Sequence, residues 1–334
     1  MRIGLAGAGR IGAFHAETLR GLDFVDELVV TDAREETARA VAERLGVELA
    51  ADPGALLAAG LDGLVIAAAT PAHAELLRLG VEAGVPTFCE KPVAATLAET
   101  IDLAKLEASS DVPVHIGFQR RFDAGYQRLA AAVQGGELGF VHTIRAATHD
   151  QAPPHASYIP TSGGLFRDCS VHDFDALRYV TGREVVSACA TGANKGEAFF
   201  SEAGDVDSAA AVLTLDDDTL VLVSATRYNG GGHDVRMEAH GSSGAMSVGL
   251  DDSLAFRSAE PGVSFPPGPQ HRSFMERFLP AYRAELTAFA DVARGGRPSP
   301  CTVADALQAF RTAEACELSR REGRVVRLEE VETL

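Results

Sequence analysis

The chain has 334 residues, 46% hydrophobic and 23% charged, a length that suits two domains better than one core. A formal net charge of −17 argues against a polyanion partner, because nucleic-acid binding needs clustered Lys and Arg. No run of 18 apolar residues exists to span a membrane, and Arg10 and several glycines interrupt the apolar N-terminus before a signal core forms. Five scattered cysteines (89, 169, 189, 301 and 316) make an odd count without a CxxC pair. That usage fits a reducing compartment, so a cytoplasmic protein with neither a nucleic-acid nor a membrane partner is expected.

The first ~120 residues alternate short apolar runs with Ala-rich helical stretches. Strands are predicted at Arg2–Ala6, Leu28–Thr31, Gly63–Ala69, Val85–Cys89 and Pro113–Phe118, with a weaker one near Val47–Ala50. Several are apolar throughout, the pattern of a parallel sheet covered on both faces. Helices are predicted between them at His15–Leu19, Glu35–Leu45, Ala72–Ala83 and Leu97–Ala108. Repeated strand–helix units imply right-handed crossovers and a doubly wound α/β sheet of the Rossmann kind. This first domain is expected to cover residues 1–120.

Residues 121–334 form the expected second domain. A helix at Ala124–Gln134 leads to a strand at Val141–Thr148, a Pro-rich loop at Gln151–Ser162 and a helix at Ser170–Thr181. Strands follow at Val185–Ala190, Ser208–Leu215, Leu220–Thr226, Asp234–His240 and Gly244–Val248, with Asp216–Asp218 as a hairpin turn. Helices at Phe274–Ala293 and Val303–Arg321 and a last strand at Arg324–Leu328 complete it. The reading is α+β, with a large, mostly antiparallel open sheet.

Gly7-Ala8-Gly9-Arg10-Ile11-Gly12 matches GxGxxG, after a strand and before a helix. Gly7 permits the tight turn, Gly9 lets the backbone approach a pyrophosphate, and Gly12 allows close strand–helix packing. The helix N-terminus offers N–H groups and a positive dipole end to the phosphates. Asp32 ends the second strand, where a carboxylate accepts from both ribose hydroxyls and repels a 2′-phosphate. NAD is therefore expected over NADP, although Arg34, next to Ala33, could serve a 2′-phosphate. Thr70, Pro71 and His73 follow the fourth strand at the ligand-bearing edge, where they could wall the cofactor; Thr70 and Pro71 could equally just start a helix.

Glu90-Lys91-Pro92 follows the fifth strand at the same edge. Lys91 could bind a substrate hydroxyl and stabilise a developing alkoxide, or be a solvated surface charge. Further on, Asp168 and His172 are four apart and share a face if that turn is helical. A carboxylate can fix the tautomer of a nearby imidazole, which suits a histidine removing an alcohol proton; the plainer reading is a helix cap and a packed histidine. Asp168, Cys169 and His172 are too few for a zinc site, so no metal is expected.

Taken together, these motifs resemble the glucose–fructose oxidoreductase / inositol dehydrogenase (Gfo/Idh/MocA) family, most closely its inositol 2-dehydrogenases. The resemblance is carried by Cys89–Pro92, Gly117–Tyr126, Asp168–Asp175 and Arg277–Tyr282, which span nearly the whole chain. It implies a catalytic group of Lys91, Asp168 and His172, a nicotinamide held near Glu90 and Lys91, and a homo-oligomer, a tetramer or dimer, built through the sheets. The implied substrate is a small cyclic polyol or sugar, oxidised at a secondary carbinol. Substrate contacts carry over to Arg120, His149, Gln151, His233 and Tyr282, beside Lys91, Asp168 and His172. Gln151 and His233 depart from the Asn and Tyr that the family pattern leads one to expect. Two other readings remain open at this point. One is a sugar-modifying or glycoside-cleaving enzyme that recycles its NAD. The other is a non-catalytic dinucleotide sensor, which would have no need of Lys91, Asp168 and His172 together.

Overall fold

The structure, a computed structural model, describes residues 1–331; the last three residues of the expected second domain lie outside the described ones. It divides into two compact units. The first comprises Met1–Gln119 and Ala281–Leu307, the second Arg120–Pro280 and the chain from Gln308 onward.

The first unit is built on a six-stranded sheet: β1 (Arg2–Ala6), β2 (Glu27–Thr31), β3 (Glu48–Leu49), β4 (Gly63–Ile66), β5 (Thr87–Glu90) and β6 (Val114–Gly117). All neighbours pair in parallel, in the order β3-β2-β1-β4-β5-β6. The strand order reverses between β1 and β4, the place where such sheets receive a ligand. Helices α1 (Arg10–Arg20), α2 (Glu35–Leu45), α3 (Pro53–Leu57), α4 (His73–Glu82) and α5 (Leu97–Ala108) make the connections. Strands β4, β5 and β6 are buried at every position, as strands of a sheet covered on both faces are, even though β5 carries Thr87 and Glu90 and β6 carries His115. The core gathers Leu5, Val30, Val65 and Phe88 with Leu286 and Phe289 from the far end of the sequence. Helix α3 was not anticipated: its apolar run is too short for a helical period, and its start is set by Asp52, which accepts from the Ala55 N–H at 2.7 Å.

In the second unit, α6 (Ala124–Gln134) is capped by Asp123, whose carboxylate accepts from Gly125 and Tyr126 N–H. Next come β7 (Val141–His149), a π-helical turn at Phe166–Ser170, α7 (Val171–Thr181), β8 (Val185–Ala193), α8 (Phe199–Glu202), β9 (Ser208–Leu215), β10 (Leu220–Thr226), β11 (Asp234–Gly241) and β12 (Gly244–Val248). Helices α9 (Phe274–Ala293) and α10 (Val303–Glu322) follow, then the two-residue β13 (Val326–Arg327) and α11 (Leu328–Val331). The seven-stranded sheet runs β12-β11-β7-β10-β9-β8-β13. Every pair is antiparallel except β7 and β10, which are parallel with Thr226 opposite His149. Alternation along β9 and β10 buries Ala211, Leu213, Val221 and Val223 on one face and leaves Val212, Leu220 and Leu222 exposed on the other. Among the described residues, no helix is long and apolar enough to cross a membrane.

Candidate active site

In the first unit the glycine loop is fixed by what its neighbours leave free. Gly7 has φ +100°, and a Cβ there would stand 2.4 Å from Ala68 N; one on Gly12 would stand 1.9 Å from Gly7 O. A Cβ on Gly9 would meet nothing within 4 Å, so that side of the loop is open. Helix α1 begins there without a side-chain cap or an acidic residue in its first turn, which leaves its N-terminus suited to an anion. Asp32 Oδ2 accepts from Ala8 N–H at 2.7 Å and Oδ1 from Arg34 N–H at 2.9 Å, which holds the carboxylate beside the loop. Arg10, Ala33 and Arg34 are exposed, and Ile11 is half-buried. These residues fit a dinucleotide: an open glycine, a helix N-terminus without a side-chain cap and a carboxylate at the ribose position.

The Lys91 loop is tied to the same sheet edge. The His73 ring lies 2.9 Å from Ala68 O and 2.8 Å from Pro92 O, linking the Thr70-Pro71 turn to it. Glu90 is buried, with Oε1 2.6 Å from His15 Nε2, while Oε2 accepts the Lys91 N–H at 3.2 Å. Lys91 itself is half-buried. Tyr282 is buried in this unit, its ring 5.1 Å edge-on to Phe14 and 5.7 Å from His15.

In the second unit the parallel pair β7–β10 brings two strand ends to one edge. Asp150 and Arg227 each follow their strand by one residue, and Asp150 N–H donates to Thr226 O at 2.9 Å. The π-helical turn packs against this edge, and it carries Asp168 in a helical conformation that continues into α7 at His172. Single π turns of this sort recur at functional sites. Arg227 Nη2 donates to Asp168 Oδ2 at 2.6 Å, and Nη1 reaches Asp150 Oδ2 at 3.1 Å and Cys169 Sγ at 2.9 Å. Tyr158 Oη donates to the other oxygen of Asp168 at 3.0 Å. Burial opposes the Arg227 charge, but Cys169, Asp168 and Asp150 raise its pKa far above the ordinary value. Burial and the Asp168 carboxylate push the Tyr158 phenol up as well, so it donates throughout the working pH range.

The other expected contacts separate by sheet face. Arg120 is buried, donating to Asp173 Oδ1 at 2.5 Å and to Thr148 Oγ1 at 2.9 Å. His149, the next residue along β7, is on the opposite face, 3.0 Å from Ser224 Oγ and 3.7 Å from Asp234. Burial lowers the His149 pKa against the opposing pull of Asp234. His233 is buried with Nδ1 3.4 Å from Asp150 Oδ1, and Gln151 is exposed in the loop after β7. Asp150, Tyr158 and Arg227 went unrecognised in the sequence. The parallel register that unites the strand ends leaves no local signal, and Tyr158 sits in an aperiodic Pro-rich loop.

Two family models match the chain: the NAD-binding Rossmann fold of an oxidoreductase family over residues 1–118, and the GFO/IDH/MocA C-terminal domain over residues 126–247. The chain belongs to the Gfo/Idh/MocA oxidoreductase family. It is 40% identical to the myo-inositol dehydrogenase Hyg17 of Streptomyces leeuwenhoekii over 97% of this chain and 99% of that one. It is 35% identical to the myo-inositol 2-dehydrogenase of Thermotoga maritima, over 99% of each. Scyllo-inositol dehydrogenase from Lactobacillus casei, solved with NAD(H) and scyllo-inositol, superposes with a TM-score of 0.89 at 26% identity, covering 98% of this chain and 99% of that one.

Proposed function

We propose that this family member oxidises a secondary carbinol of a cyclic polyol, myo-inositol or a close analogue, to the ketone. The observation that carries the reading is whole-length identity of 35–40% to two myo-inositol dehydrogenases, in a chain whose Asp32 is held beside an open glycine loop. The first unit takes the dinucleotide and the second the polyol. NAD, when bound, supplies the hydride acceptor for the carbinol C–H. His172 accepts the hydroxyl proton, Asp168 orients its ring, and Lys91 binds and polarises the reacting oxygen. The balance is one hydride, carrying both electrons, which bound NAD would accept, and one proton, which passes to the imidazole. Polar groups at Gln151, His233 and Tyr282 select the polyol, whereas His149, expected beside them, faces the open side of the sheet, and Arg120 braces α7 through Asp173.

The enzyme acts in the cytoplasm as a homo-oligomer, a tetramer or dimer assembled through the open face of the seven-stranded sheet. That face supports the reading: Val186, Val212, Leu220 and Leu222 are exposed on it, around a groove of about 510 Å³ lined in part by Ala147, His149 and Ala210. A panel of inositols, hexoses, pentoses, lactate and ethanol with NAD, followed by NADH absorbance, tests the function. Myo-inositol or a close cyclic polyol is expected to lead. His172→Ala and Lys91→Ala are each expected to lose about 10²–10⁴-fold with NAD affinity unchanged. Lactate or ethanol as the best substrate, or His172→Ala at wild-type rate, would overturn it.

A further inference from the structure

Asp168 is held by donors that the family motif does not contain. Arg227 Nη2 meets Oδ2 at 2.6 Å and Tyr158 Oη meets Oδ1 at 3.0 Å, so both carboxylate oxygens are fixed from outside the helix that carries His172. The Arg227 side chain is only 3% exposed, and its second nitrogen is taken up by Asp150 and Cys169. Asp150 in turn is 3.4 Å from His233 through its other oxygen. The guanidinium is planar and forked, so two carboxylates engaged at its two ends are held at a set separation and angle. Asp150 and Arg227 are locked together by the parallel register of β7 and β10, and Asp168 is therefore referenced to the rigid sheet rather than to its own turn.

We propose that Arg227 is a positioning residue for the oxidation, aiming Asp168 and through it His172, with Tyr158 as its counterpart on the second carboxylate oxygen. The inference rests on the reading of Asp168 and His172 as the orienting acid and the base. A carboxylate free to turn would leave the imidazole with a choice of orientations and tautomers. The loss would fall on the proton-transfer step and spare substrate and cofactor binding. A purely structural brace would instead lower stability without separating kcat from KM.

Single-turnover and steady-state kinetics of the full enzyme with NAD and myo-inositol, with Tm and NAD affinity measured alongside, test this. Arg227→Lys keeps the cation and loses the fork, and it is expected to reduce kcat about 10–100-fold while KM and NAD affinity move less than about threefold. Arg227→Ala is expected to recover part of its rate in millimolar guanidinium or methylguanidinium. Tyr158→Phe, which removes only the hydroxyl of a loop residue, is expected to lose about 3–10-fold in kcat and serves as the test if the Arg227 variants do not fold. Arg227→Lys, or Tyr158→Phe in its place, turning over within twofold of wild type while Asp168→Asn and His172→Ala are slow would overturn the positioning role alone. Asp168→Asn and His172→Ala at wild-type rate would instead overturn the base assignment, and this proposal with it.

Discussion

His15 Nε2 and Glu90 Oε1 stand 2.6 Å apart inside the first unit, joining the helix that follows the glycine loop to the strand end that carries Lys91. His15 is wholly buried, packed edge-on against Phe88 and Tyr282 at 5.7 Å. Removing one partner leaves a buried polar group without its bond, a cost of about 1–3 kcal/mol. His15→Leu is therefore expected to lower unfolding free energy by about 2 kcal/mol in urea titration. It should also slow turnover, because the Lys91 N–H rests on the other oxygen of Glu90. An unchanged urea midpoint would show that the bond contributes nothing.

The glycine loop separates fold from affinity. A Cβ on Gly12 would sit 1.9 Å from Gly7 O, so Gly12→Ala is expected to distort the loop, lowering both Tm and NAD affinity. At Gly9 a Cβ meets no protein atom within 4 Å, so Gly9→Ala is expected to leave Tm unchanged and weaken NAD alone. Differential scanning calorimetry beside a cofactor titration distinguishes the two, and equal effects at both positions would contradict the assignment of the open side to phosphate.

Cofactor choice follows from Asp32, held by Ala8 and Arg34 N–H. NAD is expected to support at least about tenfold higher kcat/KM than NADP, about 1.4 kcal/mol. Asp32→Ser should narrow that ratio by weakening NAD and admitting the 2′-phosphate beside Arg34. Parity between the two cofactors in the native enzyme would transfer the deciding role to Arg34.

Acid sensitivity is expected from Asp150. Burial would raise its pKa, but His233 and Arg227 outweigh burial and hold the carboxyl below its ordinary 3.8. A carboxyl with a depressed folded-state pKa adds stability that is complete above the unfolded value and is lost as pH falls through the folded one. The stability gap between the native chain and Asp150→Asn should thus be constant above about pH 5 and shrink below pH 3.8. Urea titrations at pH 6 and pH 3 measure it, and an equal gap at both would remove Asp150 from the acid response.

The open sheet face gives an assembly prediction. Leu222→Glu and Val212→Lys place charges on side chains now exposed on that face, and are expected to split the oligomer proposed above with little loss of monomer stability. Sedimentation velocity reads the outcome; an unchanged coefficient would move the interface elsewhere.

How legible each part was in the sequence follows from how local its cause is. The run at β4 and the start of α2 are set by neighbours in the chain, and the predicted boundaries lie within a few residues of those in the structure. The glycine loop and Asp32 were picked out in the sequence by their spacing, and the structure sets Asp32 against the loop. Leu286 and Phe289 join the first core from nearly 200 residues beyond Phe88, an arrangement without a local pattern. Asp150 and Arg227 are 77 apart in sequence, and only strand register makes them partners. The spacing of Asp168 and His172 suggested an α-helical turn, whereas Asp168 lies in a π turn, one residue wider.

The parallel pairing of β7 and β10 also sets where this enzyme can change. Side chains on a strand alternate by residue, so inserting or deleting one position in β7 would send Thr148 outward and His149 inward, and would slide Asp150 away from Arg227. Lengthening the loop at 250–272, or the 151–162 loop where Tyr158 keeps its place on Asp168, disturbs no strand partner. New polyol preferences should therefore arise by loop exchange and by single substitutions at the strand ends, while the length of these two strands stays fixed as the family diversifies.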